Sequence, residues 1–304
     1  MSNSDEKLIE EIRHLKQKRK AIILVHNYQL GEVQDIADYT GDSLDLSRTA
    51  SKADAEVIVF CGVHFMAETA SILCPDKTIL LPDINAGCPM ADMINVGGLR
   101  ALKKEYPGVP AMTYVNTSAE VKAESDICCT SANSVKVAQS LNSPEIIFVP
   151  DKYLVHYTSS RVRKKFIIWD GYCPFHVKIL PEDILKERAI HPHAEVMVHP
   201  ECIPAVTALA DQILSTGGMC KYAKETAAQE IIVGTEIGLL HRLRKENPEK
   251  KFYPASELAI CPNMKCINLE KVLWALQDMK YEIKVPEPIR VKAQVTVDRM
   301  LAIP

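Results

Sequence analysis

Residues 21–29 read AIILVHNYQ, an apolar, β-branched run that closes on His26 and continues into polar residues. Two further stretches have the same build: AMTYVNTSAE at 111–120 and EVMVHPEC at 195–202. Aligned on their polar ends, the three runs close on His26, Asn116 and His199. A short continuous apolar run of this kind reads as a buried parallel strand, covered on both faces. Three such runs in one chain raise the question of internal repetition.

Each run is followed 15 to 17 residues later by small hydroxyl or glycine residues: TGDS around Ser43, CTSAN around Ser131 and LSTGG around Ser215. Placed before helical stretches, these predict helix N-caps. A third set, EVIVF, EIIFV and EIIVG, is again strand-like. A fourth strand, in TILLP, FIIW and KFYP, leads each time to a cysteine followed by proline: AGCPM, DGYCPFH and LAICPNM. Cys88, Cys173 and Cys261 are thus 85 and 88 residues apart, and lie 62, 57 and 62 residues beyond the three anchors.

Between the strands lie helical patterns such as EVQDIADY, SVKVAQSL, KYLVHYTSSRV and EIGLLHRLRKE, with proline punctuating the ends in KKEYPGVP, KERAIHPHA and RKENPEKK. Strands alternating with short helices predict βαβ units and parallel sheets. The fold class expected is α/β, with three αβα domains related by an approximate internal threefold, each with a small parallel sheet, around a central site. The boundaries read as 1–105, 106–190 and 191–304, the last with C-terminal helices. Ligands of such sheets bind beyond the carboxyl ends of the strands, where all the marker residues fall.

Composition bounds the function. A chain of 304 residues with 47% hydrophobic and 25% charged residues is ordinary for a soluble protein, and a formal charge of −3 gives no global pull toward nucleic acid or an anionic membrane. The start, SDEKLIEEIRHLKQKRK, reads as a charged amphipathic helix without the apolar core of a signal peptide. No apolar run approaches the ~18 residues of a membrane span, so a cytoplasmic protein is expected. Neither G-x-G-x-x-G after a strand nor G-x-x-x-x-G-K-[ST] occurs, which argues against a dinucleotide dehydrogenase or a P-loop enzyme.

Ten cysteines in such a protein are not expected to form disulfides. Cys61, Cys74, Cys128, Cys129, Cys202 and Cys220 read as small buried hydrophobes. The three Cys-Pro sites differ, because loops beyond strand ends carry chemistry. Converging thiolates suggest a metal. Zinc, with His176 as fourth ligand, stays open, although structural zinc sites favour close Cys pairs and Cys261 and Cys266 lie slightly too far apart. An iron–sulfur cluster suits widely separated cysteines, and three ligands to a four-iron cube would leave one iron open as a Lewis acid. HNY and HPE supply imidazoles, a phenol and a carboxylate (His26, Tyr28, His199 and Glu201) for proton transfer. Ser43, Ser131 and Thr216 sit where helix N-termini would favour anions, and each is expected to cap as well. His64, His14, His156, His191 and His193 read as surface or packing residues.

With VHNYQ, GDSL, GVHFMAE, CPMA, YVNTSAE, TSAN, GYCPFH, VHPEC, STGGM, GTEIG and CPNMK in this order, residues 21 to 280 resemble the quinolinate synthases. The resemblance implies three αβα domains around a [4Fe-4S] cluster held by Cys88, Cys173 and Cys261, with one open iron. It implies condensation of iminoaspartate with dihydroxyacetone phosphate to quinolinate, phosphate and water on the way to NAD. The enzyme that supplies iminoaspartate is an implied partner. Substrate contacts fall by motif on His26, Ser43, Tyr114, Val115, Asn116, Ser131, His199, Pro200, Glu201 and Thr216, with Tyr28 near the chemistry. The C-x-x-C-x-x-C that some members carry near the C-terminus is missing, which leaves Cys266 the only neighbour of Cys261. A non-catalytic iron–sulfur redox sensor and a zinc-stabilised α/β binding module are the other classes the residues allow.

Overall fold

The repeated apolar runs become interior strands of three separate parallel sheets in the computed structural model, which describes residues 3–303. The first sheet holds β1 (Ala21–His26), β2 (Tyr39–Gly41), β3 (Val57–Cys61) and β4 (Thr78–Leu80) in the order β2-β1-β3-β4. The second holds β5 (Ala111–Tyr114), β6 (Ile127–Cys129), β7 (Glu145–Val149) and β8 (Lys165–Ile168), ordered β6-β5-β7-β8. The third holds β9 (Glu195–Val198), β10 (Gln212–Ile213), β11 (Glu230–Gly234) and β12 (Lys251–Pro254), ordered β10-β9-β11-β12. One topology recurs three times, and the fold is the α/β, threefold αβα arrangement expected. In each sheet the strand order reverses beside the first strand, which opens a crevice at its carboxyl end.

Alternate residues of a strand point to opposite faces, so a strand covered on both sides must be apolar at every position. The third sheet obeys this: Val196, Val198 and Ile232 pack on one side with Ile184 and Val206. Met197, Ile231 and Val233 pack on the other with Met219 and Leu243. The first and second sheets share one continuous core, which also takes in Leu273 and Leu276 of the helix Leu269–Asp278 and is bridged by Val297 and Met300 of the helix Glu287–Leu301.

Those two C-terminal helices leave the third sheet behind. Leu269–Asp278 lies on the N-terminal helix Asn3–Lys18, and Glu287–Leu301 lies on the helix Ala119–Ala123 and on β6. Between them, residues 281–283 run antiparallel along the outer edge of β4. The Leu81 N–H donates to the Tyr281 carbonyl at 2.9 Å, and the Ile283 N–H to the Ile79 carbonyl at 2.8 Å. No helix among the described residues is long and apolar enough to cross a membrane.

Three helical expectations shrink. KYLVHYTSSRV is helical only over Lys152–Ser159. Of EVQDIADY only part is helical, in Gly31–Asp35, because Asp38 turns back to accept the Ile23 N–H at 2.8 Å and Tyr39 already begins β2. In EIGLLHRLRKE the helix begins at Leu239, because the Glu236 carboxylate bends back to accept the Gly238 N–H at 2.8 Å.

The loop after β8 must come close to the end of β7. Gly171 donates its N–H to the Pro150 carbonyl at 3.1 Å, and a Cβ there would lie 2.5 Å from that same oxygen. Backbone cannot yield as a side chain can. Gly171→Ala is therefore expected to lower stability by about 1–3 kcal/mol, read as a fall in the urea unfolding midpoint; an unchanged midpoint would show that the loop relaxes without cost.

Candidate functional site

Strand register fixes how the three repeats correspond. Val25, Thr113 and Val198 pair with Cys61, Val149 and Gly234 of their own third strands. The next residues, His26, Tyr114 and His199, are therefore equivalent, and two positions further on come Tyr28, Asn116 and Glu201. The alignment of Asn116 with the two histidines was two residues out of register. Corrected, 17 residues separate His26 from Ser43, Tyr114 from Ser131 and His199 from Thr216. The misleading feature was Val115, which is buried and prolongs the apolar run beyond the strand.

The caps fall only partly where expected. Asp42 accepts the N–H groups of Leu44 and Asp45, each at 3.0 Å, and Ser215 accepts that of Gly218 at 3.1 Å. In the second repeat Thr130 accepts the Ala132 N–H at 3.2 Å, ahead of a turn that leads into the helix Ser134–Ser140. Asp42 rather than Ser43 caps the first of these helices, Ser215 caps the third as LSTGG suggested, and the second has Asn133 at its N-cap without a side-chain hydrogen bond. The hydroxyl-bearing residues Ser43, Ser131 and Thr216 line a shared cavity instead. Ser131 stands three residues before its helix, so two helix N-termini rather than three face this space.

The cavity between the three sheets is lined by His26, Tyr28, Ser43, Tyr114, Asn116, Ser131, His199, Glu201, Thr216 and the three cysteines Cys88, Cys173 and Cys261. Val115 and Pro200 do not line it. Both backbone polar groups of Val115 are engaged, with the Cys129 carbonyl at 2.9 Å and the Thr117 N–H at 2.8 Å. Asn116 contributes a buried carbonyl oxygen without a hydrogen-bond partner, an acceptor open to a donor within the cavity.

His26 and His199 are fixed in the same way. The Tyr28 N–H donates to Nδ1 of His26 at 3.2 Å, and the Glu201 N–H to Nδ1 of His199 at 3.3 Å. Burial pulls both imidazoles down to about 3, against the opposing influence of Glu201. Each ring is therefore neutral, with its proton on Nε2, and acts as a donor. Nε2 of His199 lies 3.2 Å from the Ser131 hydroxyl.

Glu201 stands at the centre. Burial alone would raise its carboxyl, but His176 and the Tyr114 hydroxyl hold it well below the usual carboxylate range. The Tyr114 hydroxyl donates to Oε1 at 2.6 Å, and Nδ1 of His176 lies 2.8 Å from Oε2. His176 also touches the Cys173 thiol at 3.1 Å through Nδ1 and the Thr235 hydroxyl at 2.9 Å through Nε2.

The cysteine turns are alike in detail. In each, the carbonyl of the cysteine accepts the N–H of the fourth residue on (Asp92, Val177 and Lys265), every time at 3.3 Å. Proline removes the first N–H after the cysteine, and the next two are directed at the sulfur: Met90 and Ala91 at Cys88, Phe175 and His176 at Cys173, Asn263 and Met264 at Cys261. A 3-10 turn follows at Ala91–Met93, His176–Lys178 and Met264–Cys266. Burial pushes the Cys88 thiol up to about 12, the Cys261 thiol up to about 11 and the Cys173 thiol well above its ordinary value. Cys266 takes no part in lining the cavity; its thiol lies 3.5 Å from the Pro262 carbonyl.

Several residues of the site escaped the sequence reading. Glu236 accepts the Cys261 N–H at 3.1 Å and pairs with Lys265 at 2.9 Å, which locks the third turn to the end of β11. Asn263 Nδ2 reaches the Gly87 carbonyl at 2.9 Å, and Trp169 Nε1 the Met93 carbonyl at 2.8 Å, so the first turn is tied to both others. The signal for Glu236 lay in GTEIG, where a carboxylate follows a buried strand by two residues.

Comparison with known proteins agrees with this geometry. The family model described as Quinolinate synthetase A protein matches residues 10–302. The protein named quinolinate synthase in Dehalococcoides mccartyi (strain CBDB1) is 59% identical over 298 residues, covering 98% of this chain and 99% of its own length. That of Methanosarcina barkeri is 56% identical over 296 residues, with 97% of both chains covered. That of Thermodesulfovibrio yellowstonii is also 56% identical over 296 residues, covering 97% of this chain and 98% of the relative. With its threefold sheets, its central cavity and near-complete coverage by these relatives, the chain belongs to the quinolinate synthetase A family.

Proposed function

We propose that the protein is a quinolinate synthase that condenses iminoaspartate with dihydroxyacetone phosphate, releasing phosphate and water, in the cytoplasmic synthesis of NAD. Its three αβα domains are read as 1–105, 106–190 and 191–304, and the enzyme that makes iminoaspartate is its supplier. The observation that carries the reading is the convergence of three identical Cys-Pro turns on a cavity also lined by His26, Tyr28, His199 and Glu201.

The donor set suits a [4Fe-4S] cluster held by Cys88, Cys173 and Cys261. Buried thiols stay protonated unless a cation stabilises the thiolate, and two N–H groups directed at each sulfur favour the charged form. When bound, the cluster supplies one iron without a protein ligand, a Lewis acid for substrate oxygen. His26 and His199, as Nε2–H donors, bind and orient carboxylate or carbonyl oxygens. The Ser43, Ser131 and Thr216 hydroxyls, with the helix N-termini at Ser43 and Thr216, bind the anionic groups of the two substrates. Glu201 holds the position of a base. It is ionised, kept out of bulk water and hydrogen-bonded to His176 and Tyr114, and Tyr28 offers a phenol across the cavity.

A second metal reading has its own observation, since ligand atoms of Cys173, His176 and Glu201 all lie within 4.8 Å of one another. A zinc ion there would make Cys88 and Cys261 dispensable for metal binding.

Anaerobically purified protein is expected to be brown, to contain iron and sulfide, and to form quinolinate from the two substrates. Changing Cys88, Cys173 or Cys261 to Ser abolishes iron binding, whereas Cys266→Ser leaves iron content unchanged. Metal that survives Cys88→Ser and Cys261→Ser but is lost in His176→Ala would decide for the zinc site instead. Glu201→Gln keeps the shape without the base, so kcat is expected to fall by about 10²-fold or more with the fold intact. Wild-type turnover by that variant would reduce Glu201 to a structural role.

A further inference from the structure

We propose that Asp151 and Glu236 are positioning residues that pin the backbone N–H groups of Cys173 and Cys261 and so aim two of the three thiolates at the cluster, an inference that rests on the functional reading above and deepens it. Strand register makes the two residues equivalent, since each stands two places beyond the corresponding third-strand residue, Val149 or Gly234. The first repeat has Val63 there. The third and fourth strands are neighbours in every sheet, so a side chain leaving the third lies beside the turn that follows the fourth. Glu236 Oε1 accepts the Cys261 N–H at 3.1 Å. In the second repeat the Cys173 N–H is directed at the Asp151 carboxylate in a looser approach, and Oδ2 there has no close hydrogen-bond partner.

Capping alone does not account for either carboxylate. A helix start needs one oxygen, and Ser118 and Ser215 supply it elsewhere in this chain with a hydroxyl. Asp151 spends only Oδ1 on the helix Lys152–Ser159, accepting the N–H groups of Tyr153 and Leu154, each at 2.8 Å. Its Oδ2 is buried without a hydrogen bond, a cost that a serine at this place would avoid. Glu236 also does two things at once. Oε2 accepts the Gly238 N–H at 2.8 Å before the next helix, and Oε1 takes the Cys261 N–H and Lys265. In both repeats the carboxylate joins a helix start to a cysteine turn.

The carbonyl of each cysteine is already tied to the N–H four residues on. A bond to the cysteine N–H holds the peptide on the other side, and with both peptides held the Cα–Cβ bond that carries the sulfur has one direction. Cys88 is placed differently. Val63 offers no acceptor, and the chain before Cys88 is gripped by its carbonyls, Ala86 accepting the His64 N–H at 2.7 Å and Gly87 the Asn263 amide at 2.9 Å. A strand end in this fold therefore does not require a carboxylate, and the two repeats that have one turn it to a cysteine N–H.

Asp151→Asn keeps an oxygen for the helix start and turns an amide toward the Cys173 N–H, which that amide cannot accept. Glu236→Gln leaves either the Cys261 or the Gly238 N–H without an acceptor. Asp211→Asn is the control, because at the amino end of β9 its carboxylate accepts the Val196 N–H at 2.8 Å, away from the cysteine turns. In anaerobically purified protein held well below its unfolding transition, loss of iron to bathophenanthroline is expected to be on the order of 10- to 100-fold faster in Asp151→Asn and Glu236→Gln, and unchanged in Asp211→Asn. A variant that folds but retains no iron is the limiting case of the same result. Wild-type rates in either of the first two variants, or an equal acceleration in the control, would overturn the proposal; should one variant fail to fold, the other decides. Quinolinate formation by the wild-type protein tests the functional reading separately. If the wild-type protein holds no iron, that reading falls, and crystal structures of the same variants still decide the placement. A Cys173 or Cys261 sulfur displaced from its wild-type position supports the proposal; sulfurs unmoved in both variants overturn it.

Discussion

A carboxylate that is 3% exposed, set where three sheets meet, has to be compensated on the spot, and no single sheet of this protein can do so. Glu201 draws the Tyr114 hydroxyl from the second sheet and His176 from the turn beyond it. Through Thr235 the same network reaches Tyr28 of the first sheet. A buried charge with a missing partner costs several kcal/mol, so the group that would serve as base also penalises any arrangement in which the sheets fail to converge. Assembly and reactivity depend on the same few hydrogen bonds.

The cysteine turns solve a related problem by local means. Each brings its own pair of N–H groups to its own sulfur, and each repeats the same backbone bond at the same length. A thiol can be delivered in this way from any strand end, provided the residue after it is proline and the chain then winds into a short 3-10 turn. The sheets need only set the direction. Links to the first turn, through Asn263 and Trp169, set the distance.

Much of this could be read from residues alone, because parallel strands buried on both faces leave apolar runs that nothing on the surface imitates. AIILVH, EIIVG and the three Cys-Pro sites led directly to the topology. The errors have physical causes. Val115 extends an apolar run past its strand and displaced the second anchor by two residues. Asp42 is as good at capping as Ser43, and sequence does not say which of two adjacent oxygen-bearing side chains turns toward the helix. Lys265 and Thr235 could not be seen at all. Their contacts span 237 and 207 residues of chain, and no local pattern records these.

The edge of the first sheet carries a consequence for synthesis of the chain. β4 is complete by residue 80, yet the backbone that covers its outer side belongs to residues 281–283. While the ribosome adds the intervening two hundred residues, the nascent first domain presents an unpaired parallel edge and lacks the helix that packs on Asn3–Lys18. The opening third of the polypeptide is thus left in need of protection through most of translation. A chain broken off shortly before its end would keep all three sheets and all three cysteines, and still be prone to join its neighbours edge to edge.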